Sequence, residues 1–241
     1  MHEDRPPPAS DAASLQLDTA LQLLRQAGHV LEDGDAADTG WLQRLVDALV
    51  EMSSKDPLTG LANRRSFEVA LAREIDRVAR NGEPALLLSL DIDHFKRIND
   101  SHGHTAGDEV IRGVARVLLD SVRPMDLVAR VGGEEFSIIL PNCPNSFGET
   151  VAERVRRRVE QTPIAIGPVD TLHCTVSVGG AFAPQWVRST PLVWIERADQ
   201  QLYRAKQQGR NLVRLEPTPA SVVSSEERRM LFDHFQFQEH E

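Results

Sequence analysis

The sequence predicts an α+β domain in which helices cover a central mixed or antiparallel sheet, with further helices ahead of it. Three observations favour this class. Residues 85–92 form a continuous apolar run of strand length, and amphipathic helical stripes lie on both sides of it in the chain. Two short strands, 127–131 and 136–140, are separated by only four residues. So short a connection makes a hairpin, which requires at least one antiparallel pair.

The N-terminal part carries two amphipathic segments. Apolar residues recur at three- and four-residue steps over residues 15–30, and a second stripe covers 41–52 after an acidic break. We predict helices here that either pack on each other and the neighbouring domain or form a dimerisation and partner-binding module. Residues 1–13, rich in Pro, Asp and Ala, are predicted to be disordered.

The remaining elements follow from the same periodicities. The predicted helices centre on residues 66–80, 108–120, 151–159 and 195–205, and the further strands on residues 171–183 and 212–215.

Composition limits the class of function. Acidic residues outnumber basic ones, 36 to 27, which gives a formal charge of −9 and argues against a general nucleic-acid binder. The polar N-terminus lacks the apolar segment of a signal peptide, and no apolar run approaches the roughly 20 residues of a membrane span. We therefore expect a cytoplasmic protein. Cys143 and Cys174 fit neither a zinc spacing nor a disulfide framework and are expected to be reduced.

A pair of carboxylates closes the apolar strand. Asp93 has a local explanation, because it could cap the N-terminus of the helix that follows. Asp91 lies too early for that, and a buried carboxylate is costly unless it is paired or binds a cation. We favour a metal-ligand role for Asp91 over a satisfied structural carboxylate.

The predicted hairpin ends in a second acidic site, Gly132–Glu135. Two adjacent glutamates at a hairpin tip repel each other, although a solvated turn is the simpler explanation for such a tetrapeptide alone. If the hairpin lies beside strand 85–92, Asp91 and Glu134 could share Mg²⁺, an arrangement that suits phosphoryl transfer. The two glycines would admit positive φ and let a ligand approach the backbone.

Other polar residues could recognise a nucleotide. An amide and a carboxylate, Asn99 and Asp108, can together bind the edge of guanine. Lys206 and Arg210 are four residues apart on one helix face and could bind phosphates. Each of these is, taken singly, also typical of a surface residue or of a cation at a helix C-terminus.

In combination these segments resemble the GGDEF domain of diguanylate cyclases. The matching segments are Asp56–Arg65, Asp91–Asp100, Gly103–Asp108, Arg130–Phe136 in the GGEEF spelling, and Ala198–Asn211. The resemblance covers about residues 53–215 and implies a five-stranded, mostly antiparallel sheet of the nucleotidyl-cyclase palm type. It leaves residues 14–52 as a helical dimerisation or regulatory segment and 216–241 as a C-terminal tail.

The family resemblance implies that two GTP molecules are condensed into cyclic di-GMP by a homodimer with Mg²⁺, or Mn²⁺ in its place. The implied metal ligands are Asp91, the Ile92 carbonyl and Glu134; the implied catalytic residues are Glu134, Glu135 and Lys96; the implied substrate contacts are Phe95, Asn99, Asp108, Lys206 and Arg210. A regulatory protein could dock on the N-terminal helices. The alternatives are a catalytically silent nucleotide receptor or scaffold, and a structural adaptor that would leave the acidic and guanine positions unexplained.

An additional motif, Arg123 followed three residues later by Asp126, resembles the family's inhibitory site for the product. Arg154, on the helix after the hairpin, resembles its secondary arginine, with Arg156, Arg157 and Arg158 of the same helix as the alternatives. The resemblance implies feedback inhibition by cyclic di-GMP.

Overall fold

The computed structural model describes residues 17–26, 28, 31, 38–185 and 189–217. The disorder predicted for residues 1–13 and nearly all of the predicted tail lie outside this part. The helices are α1 (Asp18–Gln26), α2 (Thr39–Ser54), α3 (Arg64–Asn81), α4 (Phe95–His102), α5 (His104–Ser121), α6 (Asn145–Gln161) and α7 (Pro191–Gln207). The strands are β1 (Ala62–Asn63), β2 (Ala85–Ile92), β3 (Leu127–Arg130), β4 (Glu135–Pro141), β5 (Ile164–Ala165), β6 (Thr171–Leu172), β7 (Val176–Phe182) and β8 (Val213–Leu215).

The central sheet confirms the predicted α+β class. Its order is β1-β3-β4-β2-β7-β8, with antiparallel pairs in the middle and a parallel pair at each edge. It has six strands rather than five, because the two-residue β1 adds an edge that is too short to show a periodicity. The strand predicted over residues 171–183 is divided, since β6 pairs with β5 in a separate hairpin and only β7 joins the central sheet.

Helices cover both faces of the sheet. Every residue of β2 is buried, as its continuous apolar sequence predicts. One face packs on α5 and α6 through residues such as Val114 and Val155. The other face packs on α3 and α7 through Leu71 and Trp194, and the Trp194 indole N–H donates to the Ala181 carbonyl at 2.8 Å. The acidic ends of β2 and β4 are therefore held in a rigid, closely packed frame.

Helix α7 lies directly on the backbone of β7. A Cβ added at Gly179 would come within 2.0 Å of the Leu202 nitrogen and 2.4 Å of the Ala198 carbonyl oxygen. Both contacts are with backbone, so no side chain can be accommodated at this position. Gly179 thereby fixes the distance of α7 from the sheet, and with it the position of Lys206 near the helix end.

Helices α1 and α2 bury a small core of their own, formed by Leu24, Trp41 and Leu45. Val46 and Val50, on the opposite side of α2, are 50% and 59% exposed. An exposed apolar stripe on an amphipathic helix is typical of a surface that associates with another chain.

The end of α2 is bonded to the start of the next segment. The side-chain amide of Asn63 donates to the Ser53 carbonyl at 2.6 Å, and the Ser66 hydroxyl donates to the Ser54 carbonyl at 2.8 Å. Lys55 and Ala62 form an isolated antiparallel bridge. These bonds satisfy carbonyls that a helix C-terminus leaves without intrahelical partners.

Two further predictions concern the chain as a whole. Within the described ranges, no helix is long and apolar enough to cross a membrane. Cys143 and Cys174 are buried free thiols, as predicted, and burial raises the pKa of Cys174 to about 12. A thiol with so high a pKa is unreactive near neutral pH.

Candidate active site

The two predicted acidic sites meet at one edge of the central sheet. In the antiparallel register of β2 and β4, Asp91 lies opposite Glu135. The backbone N–H of Ile92 donates to the carbonyl of Glu134 at 3.2 Å. The hairpin therefore does lie beside the apolar strand, and this register brings Glu134 next to Asp91 and Ile92.

Charge accumulates at this edge. Burial raises the pKa of Asp91, which is 6% exposed, although the Lys206 ammonium lies 2.7 Å from Asp91 Oδ2 and favours the charged form. Burial and then the charge of Asp91 raise the pKa of Glu134. Two desolvated carboxylates that repel each other favour a bound cation.

The donor set fits a hard divalent ion. Across the described residues, no group of three His, Cys, Asp or Glu side chains converges in a way that could hold a metal ion. The residues that would hold a metal at this edge are Asp91 and Glu134 through their carboxylates and Ile92 through its carbonyl, with water or phosphate oxygens in the rest of the shell. Mg²⁺ is typically bound by one or two protein carboxylates, and water and substrate phosphates supply its other ligands.

The glycines of the hairpin serve a different purpose from the one predicted. Neither Gly132 nor Gly133 has a positive φ, so the expectation of a left-handed turn was wrong. A Cβ on Gly132 would lie 2.2 Å from Oε2 of Glu135, whereas one on Gly133 would meet nothing within 4 Å. Gly132 is needed because the Glu135 side chain folds over it, and Gly133 leaves open space above the turn.

An arginine that was not assigned a role holds the hairpin in place. The Arg130 guanidinium donates to the Gly133 carbonyl at 2.8 Å and to Asp56 Oδ2 at 3.1 Å. Burial opposes ionisation of Asp56, but hydrogen bonds from Thr59 and Arg130 outweigh it and lower the pKa of Asp56. This ion pair fastens the loop before β1 to the acidic turn.

The predicted capping role of Asp93 was also wrong. Helix α4 is preceded by His94 in a left-handed conformation (φ 58°), with no side-chain cap. The Asp93 carboxylate instead accepts hydrogen bonds from the Thr175 and Ser177 hydroxyls, both at 2.6 Å, and from the Asn211 backbone N–H at 2.9 Å. Its partners lie just before and in β7 and in the segment after α7, so local sequence could not reveal them.

The predicted guanine residues lie on neighbouring helices. Asn99 is one turn after Phe95 on α4, and a Cβ added at Gly107 would lie 1.9 Å from Asn99 Oδ1 and 3.2 Å from Phe95. Asn99 Oδ1 is buried without a hydrogen-bond partner in the described structure. Buried acceptors are normally satisfied, so this atom is available for a ligand donor. Asp108 follows Gly107 and is exposed.

The predicted phosphate contacts are less uniformly placed. The positive charges of Lys206 and Arg210 both lower the pKa of Asp91. Both residues therefore lie near the sheet edge that carries Asp91, Glu134 and Glu135, here called the acidic edge. Lys96 is exposed on the first turn of α4, and its side chain makes no hydrogen bond or ion pair with the described residues. The structure thus groups Lys206 and Arg210 with the acidic pair and places Lys96 at the start of the helix that carries Asn99.

A family profile described as "Diguanylate cyclase, GGDEF domain" matches residues 53–212. The chain belongs to the GGDEF family. The response regulator PleD of Caulobacter vibrioides is 39% identical over 176 residues, which cover 73% of this chain and 38% of PleD. The diguanylate cyclase DosC of Escherichia coli is 40% identical over 163 residues, which cover 66% of this chain and 34% of DosC. The chain therefore spans between a third and two fifths of the length of these curated relatives.

Solved GGDEF structures share the fold. The GGDEF domain of DgcB from Caulobacter crescentus, in complex with c-di-GMP, is 38% identical with a TM-score of 0.64 and covers 68% of this chain and 93% of that one. The diguanylate cyclase SiaD of Pseudomonas aeruginosa, in complex with its activator SiaC, is 34% identical with a TM-score of 0.67. The structural alignment covers 83% of this chain and 73% of SiaD, so the likeness extends beyond the segment matched by the family profile.

The predicted inhibitory residues of this GGDEF domain meet at the C-terminal end of α5. Arg123 pairs with Asp126 at 3.0 Å and also donates to the Pro141 carbonyl at 2.9 Å. Arg154 donates to the carbonyl of Ser121 at 3.1 Å. Asp126 directly precedes β3, and the turn that carries Glu134 follows β3. The predicted inhibitory site and the acidic site are therefore separated by the length of this strand.

The raised pKa of Glu134 predicts a pH-dependent stability. The pKa of Glu134 in the folded state lies above its pKa in the unfolded state. At pH values between these two pKa values the folded state binds more protons, so stability falls as pH rises through that interval. Glu134→Gln should therefore raise the melting temperature at pH 7 by on the order of 1–3 °C. The gain should disappear below about pH 4, where the native carboxyl is also protonated.

Thermal melts in divalent-free buffer at both pH values measure this difference. Glu196→Gln, at an exposed position on α7, is the matched control and should melt like the native protein. An equal gain at pH 7 and pH 4 would show that packing, rather than charge, is responsible.

Proposed function

We propose that this chain is a diguanylate cyclase that condenses two GTP molecules into cyclic di-GMP and releases two pyrophosphates. The observation that carries the proposal is the register of β2 and β4, which brings Glu134 of an intact GGEEF hairpin beside Asp91. That pair is what the reaction requires, because the triphosphate of GTP is handled together with a divalent ion.

Different residues of the acidic edge are assigned to the metal ion and to the triphosphate. Asp91, the Ile92 carbonyl and Glu134 would hold Mg²⁺, which when bound offsets the negative charge of the phosphates. Lys206, Arg210 and Lys96 are assigned to the triphosphate; the position of Lys206 and the charge of Arg210 at Asp91 support this assignment for the first two. In each half-reaction a 3′-oxygen bonds to the α-phosphorus of the other GTP, the bond to the β-phosphate breaks, and pyrophosphate leaves.

A proton must leave the attacking hydroxyl. Glu135 is exposed, lies opposite Asp91 in the strand register, and is the carboxylate we assign to accept that proton. Its side chain is folded over Gly132, which limits the directions in which it can point.

The guanine base is proposed to bind between α4 and α5. The unsatisfied Asn99 Oδ1 supplies an acceptor, and the exposed carboxylate of Asp108 can accept from the N1–H and N2–H₂ of guanine. Phe95, which packs beside Gly107 at the start of α4, is assigned with Lys96 to the triphosphate.

One domain supplies only half of the reaction centre, so we propose a homodimer in which two GTP-loaded domains face each other. Helices α1 and α2 are proposed to hold the two catalytic domains together through the exposed stripe of α2. They are also the proposed docking site for a regulatory protein. The likeness to SiaD, whose structure contains an activator protein and whose alignment covers 83% of this chain, supports this assignment.

The test is incubation of the purified full chain with GTP and Mg²⁺, followed by chromatography of the products. Formation of cyclic di-GMP supports the cyclase. If a covalently enforced dimer binds GTP but forms no product, the chain is a nucleotide receptor instead.

We also propose product inhibition at the site formed by Arg123, Asp126 and Arg154. A guanidinium can donate two hydrogen bonds to the O6/N7 edge of guanine, and the carboxylate can accept from its opposite edge. The guanidinium of Arg123 is half exposed and pairs with the buried carboxylate of Asp126, so Asp126 can accept from a ligand only when Arg123 turns away from it.

Arg123→Ala should relieve this inhibition. Loss of a bidentate contact to guanine is expected to raise the inhibitory concentration of cyclic di-GMP by roughly 10- to 100-fold while leaving turnover without added product unchanged. Arg116→Ala, at an exposed arginine on α5, is the control and should keep native inhibition. Unchanged inhibition of Arg123→Ala would exclude this site.

A further inference from the structure

Asp93 is a buried carboxylate for which the proposed reaction has no role. It is 4% exposed and lies two residues after Asp91. Its oxygens accept three hydrogen bonds, from two hydroxyls and from the Asn211 N–H, and its own N–H donates to the Thr175 carbonyl at 2.9 Å. Burying a carboxylate is costly, and a neutral residue could connect these strands at lower cost.

The segment that Asp93 holds is strained. Arg210 and Asn211 are consecutive and both left-handed, with φ of 63° and 46°. Residues with side chains adopt this conformation only where the surroundings fix it. The Arg210 N–H donates to the Ala205 carbonyl at 3.1 Å, and the next N–H, that of Asn211, donates to Asp93. These two bonds set the direction in which the chain leaves α7.

The side chain of Asn211 is fixed from the opposite side by α6. Its amide nitrogen donates to Glu160 at 2.6 Å, and its oxygen accepts from Arg156 at 2.5 Å. Arg156 is 9% exposed and forms ion pairs of 2.8 Å with both Glu160 and Glu153. The peptide after Arg210 is therefore clamped between Asp93 and a charged network.

We propose that Asp93 is a positioning residue that holds the backbone of Arg210 so that its guanidinium meets the phosphates of GTP. The proposal rests on the assignment of Arg210 to the triphosphate. Asp93 touches neither substrate nor metal in this scheme and acts through the Asn211 N–H. The strained pair after α7 is kept in place because the phosphate-binding cation must face the acidic edge.

A double-mutant cycle tests this role. The full-length native protein, Asp93→Asn, Arg210→Ala and the double variant are titrated with 3′-deoxy-GTP and Mg²⁺, because a nucleotide without a 3′-hydroxyl binds but cannot cyclise. Asp93→Asn should raise the Kd about tenfold in the native background, as expected for one charge-assisted contact to phosphate. In the Arg210→Ala background the same change should raise the Kd less than about twofold, because the group it positions is gone.

A second variant guards against misfolding of the first. Asn211→Gly keeps the N–H that Asp93 accepts and tolerates positive φ, but loses both side-chain bonds to α6. It should weaken binding about threefold in the native background and have no effect with Arg210→Ala. Asp120→Asn, at an exposed position on α5, is the matched control and should bind like the native protein.

The outcomes separate the two proposals. Binding of 3′-deoxy-GTP and synthesis of cyclic di-GMP by the native chain test the proposed function itself. In a native chain that does both, equal losses for Asp93→Asn with and without Arg210 would overturn the positioning role.

Discussion

Replacing Glu134 with alanine is expected to abolish cyclic di-GMP synthesis, lowering kcat/KM at least about a thousandfold. The change removes one of the two carboxylates assigned to the metal, and the neighbouring carboxylate of Glu135 is folded over Gly132. Phosphoryl transfer depends mainly on positioning and charge neutralisation, so little catalysis should survive. Chromatographic quantification of the product from GTP and Mg²⁺ measures the loss.

A second measurement separates metal binding from other effects of this change. Binding of Mn²⁺, followed by electron paramagnetic resonance, should weaken at least tenfold in Glu134→Ala, because one ligand is lost. Glu196→Ala, exposed on α7, should match the native protein in both assays. Native Mn²⁺ affinity together with lost synthesis would show that Glu134 acts in the reaction without holding the ion.

Removing the N-terminal helices is expected to have the second largest effect. A chain that begins at Ser53 keeps the carbonyls that bond to Asn63 and Ser66 but lacks the exposed stripe of α2. Two tethered domains meet at an effective concentration in the millimolar range, whereas free domains meet at their bulk concentration. At submicromolar protein, specific activity should therefore fall at least about tenfold and should rise with protein concentration.

Full-length variants provide the matched comparison. Val46→Arg places a charge in the exposed apolar stripe and should reproduce the loss, whereas Glu51→Arg on an exposed position of the same helix should not. Fusing the truncated chain to a parallel coiled coil should restore activity. If the truncated chain is as active and as dimeric as the full chain at low concentration, α1 and α2 do not assemble the dimer.

The sequence predicted the features that depend on periodicity and on chain order. The apolar strand, the hairpin and the meeting of Asp91 with Glu134 follow from alternation, from a short loop and from the cost of a buried carboxylate. Residue chemistry also suggested the pairs Asn99 with Asp108 and Lys206 with Arg210, and the family segments supplied the other site residues. The meeting of Asp91 and Glu134 was predicted only on the condition that the hairpin lies beside the apolar strand, and the register of β2 and β4 meets that condition.

Features that depend on tertiary contacts or on the conformation of a particular side chain were missed. Asp93 looked like a helix cap because the residues that bind its carboxylate lie more than 80 positions away, at the start of β7 and after α7. Gly132 looked like a turn glycine because the constraint comes from the Glu135 side chain folding back over it. Strand β1 was invisible for a similar reason, since two residues show no alternation and its pairing partner is β3.

The bonds at the end of α2 have a mechanical consequence. A flexible linker would not transmit a rotation of α2 to the domain that follows. Here the side chains of Asn63 and Ser66 donate hydrogen bonds to the last carbonyls of α2 and fix the end of this helix to the start of α3. Helix α3 begins at the next residue after Asn63, so torque on α2 passes into the first helix on the sheet. These bonds couple the orientation of α2 to that of the catalytic domain, so in the proposed dimer a rotation of α2 would change how the two acidic edges face each other.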